Sequence, residues 1–512
     1  MSRKGVAIID FGSQYTQLIA RRVRELRIYC EIFPHFFNVQ RLKDFDPRAL
    51  ILSGGPASVA TSERVTADSE IFTLGIPVLG ICYGMQLMGD HFGGKVSYSA
   101  RREYGKTTLV VDDHSDLFHG LPDILTVWMS HGDRVDTLPN GFEILGHTEN
   151  CAIATFRSAG RKLYGVQFHP EVVHTSKGKR ILKNFLCRIS ECVPDWTPRL
   201  FVKDSVDSIR TRVRDERVIC AVSGGVDSSV LAVLLQRAIG DRLVCVFVNN
   251  GLLPEEPVDV INKLRSLYGI HVRSVNAERR FLSRLKDIVD PEEKRRIIGT
   301  EFVRVFEEQA RALGPIRFLA QGTLYPDVIE SRSPRGGASV TIKTHHNVGG
   351  LPDSMQFELI EPFKELFKDE VRKVGKELSM PDDIVWRHPF PGPGLAVRIV
   401  GDVNRRRLDV LRRADAIVRE EISRQGFYRK LWQAFAILLP VKTVGVMGDK
   451  RTYESVVAIR AVTSSDGMTS DWARLPHRLM ERISNRIINE VDEVNRVVYD
   501  ISSKPPSTIE WE

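Results

Sequence analysis

Two open, mainly parallel α/β sheet domains followed by a smaller α+β domain are predicted for this chain, and three observations carry the prediction. Residues 6 to 90 alternate short apolar runs with helical spacing, the order that builds a parallel sheet. The same alternation restarts at Val218 and continues to Ala320. Beyond the Pro/Gly-rich connector RHPFPGPGLAVR, from Arg387, long helical patterns stand beside strand-like runs without alternating.

At 512 residues the chain has room for about three domains. We divide it at 5–195, 196–388 and 389–512; the first boundary falls in CVPDWTP, Cys192 to Pro198, where periodicity fades and prolines enter. The formal net charge of +8 comes from basic residues interleaved with acids. That balance fits small anionic substrates and leads us to expect neither nucleic acid nor membrane as partner. No long uncharged apolar stretch suggests a membrane span, and MSRKGVAIIDFG runs almost directly into a strand. Seven scattered cysteines without a CxxC pair read as reduced thiols of a cytoplasmic protein.

In the first region, strands are expected at Val6 to Asp10, Glu31 to Pro34, Ala49 to Leu52 and Ile76 to Ile81, with an amphipathic helix at Gln17 to Leu26. The run IPVLGICYGMQLM delivers Cys82 between Gly80 and Gly84 at the start of a helix. That is a nucleophile elbow with cysteine in place of serine, where helix-start amides favour the thiolate. A lone cysteine is more often a small core residue, but the Gly-x-Cys-x-Gly frame reverses that preference. A cysteine nucleophile needs a base and an orienting group. YGVQFHPE supplies His169 and, two residues on, Glu171, which point the same way if the segment is extended.

GICYG, the loop SGGPAS at Ser53 to Ser58, and GVQFHPE together resemble the class I glutamine amidotransferases. The resemblance implies Cys82 as nucleophile, His169 as base and Glu171 as its orienter. It implies backbone amides near Gly55 and Tyr83 as oxyanion hole. MSHGD, Met129 to Asp133, matches the segment that grips glutamine; Asp133 would hold the ammonium, with Gln86 and His131 assisting.

Residues 201 to 215 read as a charged helix, followed by a second set of strands at Val218 to Val222, Leu243 to Val248, His271 to Val275 and Arg317 to Ala320. After the first of these comes SGGVDSS, Ser223 to Ser229, and then the helical spacing Val230, Val233, Leu234, Ala238. Adjacent glycines let the backbone turn sharply, and successive amides with the positive helix end make an anion site. No lysine stands where the Walker pattern needs one; Ser223, Ser228 and Ser229 offer hydroxyls instead, and Asp227 a ligand for Mg²⁺. SGGVDSS resembles the PP-loop of the N-type ATP pyrophosphatases, which split ATP between the α and β phosphates and leave an adenylated substrate. The resemblance implies ATP on Ser223, Gly224, Gly225, Val226, Asp227, Ser228 and Ser229, with adenine near Val248.

PEEKRRIIG, residues 291 to 299, reads by itself as a solvated helix face. Over its full length the chain resembles glutamine-dependent ligases that aminate xanthylate, XMP, after ATP has adenylated its ring oxygen O2. That resemblance implies XMP contacts at Arg295, Gln433, Lys504 and Glu510, and a lid with Asp327, Glu330, Lys343, His345 and His346. Arg398 is a candidate phosphate contact. The final region, with helices at Arg405 to Gln425 and Leu475 to Val491 and strands at Thr443 to Met447, Ser455 to Val462 and Val497 to Ile501, resembles a domain through which such ligases form homodimers. Rival readings are another PP-loop ligase, such as an NAD synthetase, and a tRNA-modifying PP-loop protein.

Overall fold

The computed structural model describes residues 4–13, 15–61, 64–254, 256–330, 357–447, 450–464 and 469–512. The chain falls into two compact units, Met1–Leu200 and Phe201–Glu512.

In the first unit, Val6–Asp10 pairs in parallel with Cys30–Pro34 on one side and Ala49–Leu52 on the other, and Val78–Ile81 and Leu163–Val166 extend the set. VAIID, ALIL and VLGI are apolar runs because both faces of these strands are covered. From Leu163–Val166 the sheet continues antiparallel through Thr155–Ser158, Glu143–His147, Lys95–Val111 and Ile124–Thr137. This antiparallel wing is an addition to the predicted strands, and it carries Asp133. The helix Thr16–Glu25 buries Ile19, Ala20 and Val23 on one face, as its spacing requires.

The second unit begins with the helix Pro198–Val213 and a parallel sheet in the order Val272–Asn276, Leu243–Asn249, Val218–Ala221, Phe318–Ala320, Glu358–Ile360. Chain order runs outward in both directions from Val218–Ala221, so the topological switch lies between that strand and Phe318–Ala320. Ligand crevices open at such points, and SGGVDSS and Gly322 stand there. A second sheet pairs Gln433–Met447 antiparallel with Lys450–Thr463, flanked by Asp471–Trp472 and the parallel Val494–Tyr499.

The first of these long strands starts already at Gln433, ahead of the predicted Thr443. Ala434, Ala436 and Leu438 enter one apolar cluster while Phe435 and Ile437 enter another, the alternation of a strand buried on both faces. The larger cluster also takes in Ile219, Val246 and Leu319 of the parallel sheet and Leu411, Val418 and Ile483 of the helices Arg405–Arg424 and His477–Glu490. We propose the division at 388/389, inside this unit, on functional grounds.

Candidate active site

At the end of Val78–Ile81 the chain turns through Cys82, whose φ of 50° and ψ of −105° lie outside the regions ordinary residues prefer. Such strain, held by surroundings, is characteristic of an elbow. The glycines are there for contact: a Cβ on Gly80 would stand 2.6 Å from the Gly84 backbone, and one on Gly84 2.5 Å from the Leu52 carbonyl oxygen. Cys82 therefore sits where a strand and the helix Tyr83–His91 meet at closest approach.

His169 and Glu171 lie past the parallel strand next to the elbow, and His169 Nδ1 is 2.7 Å from Glu171 Oε1. Both side chains are buried, and the second carboxylate oxygen of Glu171 has no hydrogen-bond partner among the described residues. Burial alone would lower the His169 pKa; Glu171 and the side-chain bond with Cys82 override it and hold it well above 6.5. Trp128 O and Thr175 Oγ1 fasten the His169 backbone, and the Tyr15 ring meets the imidazole edge-on at 5.1 Å.

Gly54, which sequence reasoning passed over, stands close against the imidazole: a Cβ there would be 3.1 Å from His169 Cε1 and 3.8 Å from Cys82 Cβ. Gly55 lies against the Phe11 backbone, and Tyr83 hydrogen-bonds through its hydroxyl to Val65 O. Gln86 Nε2 donates to the Asp133 carbonyl at 2.8 Å and to Gln167 Oε1 at 3.2 Å. His131 turns inward, one ring nitrogen 2.9 Å from Asp133 O and the other 3.2 Å from Glu103 Oε2. The structure thus gathers Cys82, His169, Glu171, Gln86, His131 and Asp133, and adds Gln167 and Glu103.

In the second unit, SGGVDSS leads into the helix Val226–Ile239. Gly224 has φ +78°, and a Cβ there would lie 2.9 Å from Pro257 Cα, so turn and packing both demand glycine. Ser223 and Ser228 bond to each other at 3.1 Å, and the Ser229 hydroxyl is buried without a partner among the described residues. Asp227 Oδ2 pairs with Lys368 Nζ at 3.1 Å, while Oδ1 is buried without a partner among the described residues. Arg387 donates to the Gly224 carbonyl at 2.8 Å, and burial depresses the pKa of nearby Arg372 against the pull of Asp227. Val248 is buried in the adjacent strand. Asp327 accepts from the Leu324 amide at 2.9 Å, at the start of its own short helix. Lys343, His345 and His346 lie outside the described residues, as does the side chain of Glu330.

A third cluster forms around the chain terminus. Glu510 accepts two bonds of 3.0 Å from Arg398 and one of 2.7 Å from Gln433 Nε2. Arg295 donates to the Glu512 carbonyl, and Lys294 is wholly buried with Glu512 Oε2 and Ile399 O as acceptors. Burial lowers the Lys294 pKa, partly offset by Glu512. Arg398 is thus committed to a carboxylate, and Lys504 is joined through its backbone to Ser470. Among the described residues no group of three or more His, Cys, Asp or Glu is placed to hold a metal, and no helix is long and apolar enough to cross a membrane.

Comparison with known proteins bears on both units. The class-I glutamine amidotransferase family matches residues 7–189, and the GMP synthase C-terminal domain family matches residues 420–511. A glutamine-hydrolysing GMP synthase of a Synechococcus species is 55% identical, covering 100% of this chain and 97% of the relative. One from Caldanaerobacter subterraneus is 54% identical with 100% of both chains covered, and one from Nitratidesulfovibrio vulgaris 56% with 99% of both.

Proposed function

The chain belongs to the glutamine-hydrolysing GMP synthases, and from that membership we infer how its residues divide the work of a ligase that makes GMP with nitrogen from glutamine. XMP, ATP and glutamine are its substrates. The observation that carries the assignment is the strained Cys82 beside a buried His169–Glu171 pair.

In the first unit, the Cys82 thiolate attacks the glutamine side-chain carbonyl. Amides near Gly55 and Tyr83 hold the oxyanion, and His169 passes the thiol proton to the leaving nitrogen, so ammonia departs from a thioester. Water, deprotonated by the same imidazole, then releases glutamate. Glu171 keeps the imidazole oriented and favours its charged form. Asp133 takes the α-ammonium, with Gln86 and His131 fixing the strand it stands on.

In the second unit, the SGGVDSS amides and hydroxyls bind ATP phosphates while xanthine O2 attacks the α-phosphorus and pyrophosphate leaves. Ammonia then displaces AMP. Arg295, Gln433, Lys504 and Glu510 take XMP, and Asp327, Glu330, Lys343, His345 and His346 close over ATP. Asp227 Oδ1, without a partner among the described residues, suits Mg²⁺, which when bound would neutralise phosphate charge. A homodimer is supported by exposed Val441, Val444, Val446 and Tyr453 on the long hairpin. Seven free cysteines suit a cytoplasmic setting. Product analysis tests the whole: XMP, ATP and glutamine should give GMP, glutamate, AMP and pyrophosphate, whereas ADP and phosphate would refute the adenylation route.

A further inference from the structure

Gln167 is 0% exposed and holds no place in the triad, yet its side chain touches the sulfur of Cys82. Resting on the glutaminase reading above, we propose that Gln167 is a catalytic residue of the thiol site, an N–H donor to the Cys82 thiolate whose polarity is set through Gln86 by the Asp133 carbonyl.

The polarity of both amides is set at a backbone atom. A carbonyl oxygen can only accept, so the Gln86 atom 2.8 Å from Asp133 O must be Nε2. That same nitrogen lies 3.2 Å from the near end of Gln167, which must then be the acceptor Oε1. The far end of Gln167 is therefore Nε2, 3.6 Å from Cys82 Sγ. Reversing either amide would set two donors or two acceptors face to face, and reversing Gln167 would turn a lone pair toward the sulfur.

An N–H aimed at sulfur stabilises the thiolate over the thiol, and does so without a charge. In the thiol form the S–H has its own acceptor, Ser130 O, at 3.7 Å. The titratable group facing the sulfur is His169, backed by Glu171. From the wing, the His131–Glu103 pair reaches the chain of amides through Asp133 O. The thiol proton moves to His169 and no bond to carbon is made in this step. The relay also joins the reacting sulfur to the strand whose Asp133 would receive the substrate ammonium.

The test is alkylation of Cys82 by iodoacetamide, read on its own peptide by mass, from acid to mildly alkaline pH. Gln167→Met should move the midpoint up by about one pH unit, which is roughly tenfold slower labelling below it. Gln86→Met, which leaves the sulfur untouched, should shift the midpoint the same way by less, and the double variant should go no further than Gln167→Met. An unchanged profile in a Gln167→Met protein that melts like wild type overturns the proposal, as does simple additivity in the double variant. If Gln167→Met does not fold, Gln86→Met decides by the presence or absence of its shift. Cys82→Ala separates the underlying reading: surviving glutaminase there defeats the nucleophile assignment, whereas lost glutaminase with an unmoved alkylation midpoint in Gln167→Met defeats this inference alone.

Discussion

His169 and His388 are both largely buried imidazoles, one in each unit, and they are pushed in opposite directions. Burial opposes the charge on each; at His169 the adjacent Glu171 reverses it, lifting the pKa well above 6.5. At His388 burial prevails over the opposing bond to the Tyr428 carbonyl, and Arg372 and Arg398 add to it, so the pKa falls to about 4. His388 donates from Nε2 to Tyr428 O at 2.8 Å, which opposes the fall without cancelling it; its Nδ1 has no partner among the described residues, and its ring stacks on Tyr428 at 3.9 Å. Protonation at these depths is decided by the charged neighbour, not by depth alone. The thiol site needs an imidazole that can carry a proton while a thiolate forms. Beside Arg372 and Arg398, a further cation at position 388 would only add repulsion.

The contrast is broken most severely at its nucleophile. Cys82→Ala should lose glutamine-dependent GMP formation by at least about 10⁴-fold while keeping synthesis from ammonium salts, because alanine offers no nucleophile and the second unit is untouched. Failure with both nitrogen donors in a folded protein would show that the two sites are not separate. Next in size, Asp227→Asn should lower synthesis with either donor by about 10²–10³-fold, since it removes the carboxylate beside Lys368 and any Mg²⁺ contact. Cys82 in that variant should still be alkylated at the wild-type rate; a slowed rate would contradict independent assembly of the thiol site.

How far these sites could be read in advance follows from the span of chain each contact crosses. Gly80-x-Cys82-x-Gly84 and His169-x-Glu171 are local, so elbow and ion pair were legible, as were SGGVDSS and the strand before it. Gln167 stands two residues before His169 and was overlooked, because its partners Gln86 and Cys82 belong to another element. The Glu103–His131 pair bridges two antiparallel strands outside the predicted set. Lys294 lies in a charge run that composition reads as solvated, yet the Glu512 carboxylate and Ile399 O satisfy it inside. Arg387 on Gly224 and Arg398 on Glu510 join residues far apart in sequence, where no spacing rule reaches. Glu510→Gln samples that last class. It leaves Arg398 buried against a neutral amide, and the KM for XMP should rise about tenfold to a hundredfold with little change in that for ATP. Equal rises for both would place Glu510 away from the XMP pocket.

The smallest effect returns to the two histidines and concerns stability. The folded pKa of His388, about 4, lies below the ordinary 6.5. Above 6.5 the ring is neutral whether the chain is folded or not, and it contributes no pH dependence. As pH falls from 6.5 toward 4 the unfolded chain takes up a proton that the folded chain refuses, so unfolding is favoured progressively. His388→Gln keeps a donor for Tyr428 O and removes the titration. The stability of wild type relative to this variant, from urea midpoints at matched pH, should therefore fall by about 3 kcal/mol across that window and be flat above it. A carboxylate such as Glu171 offers His169 would cancel such a slope; His388 has burial and two arginines instead, and a difference that is flat at every pH would mean that these together do not keep the imidazole neutral.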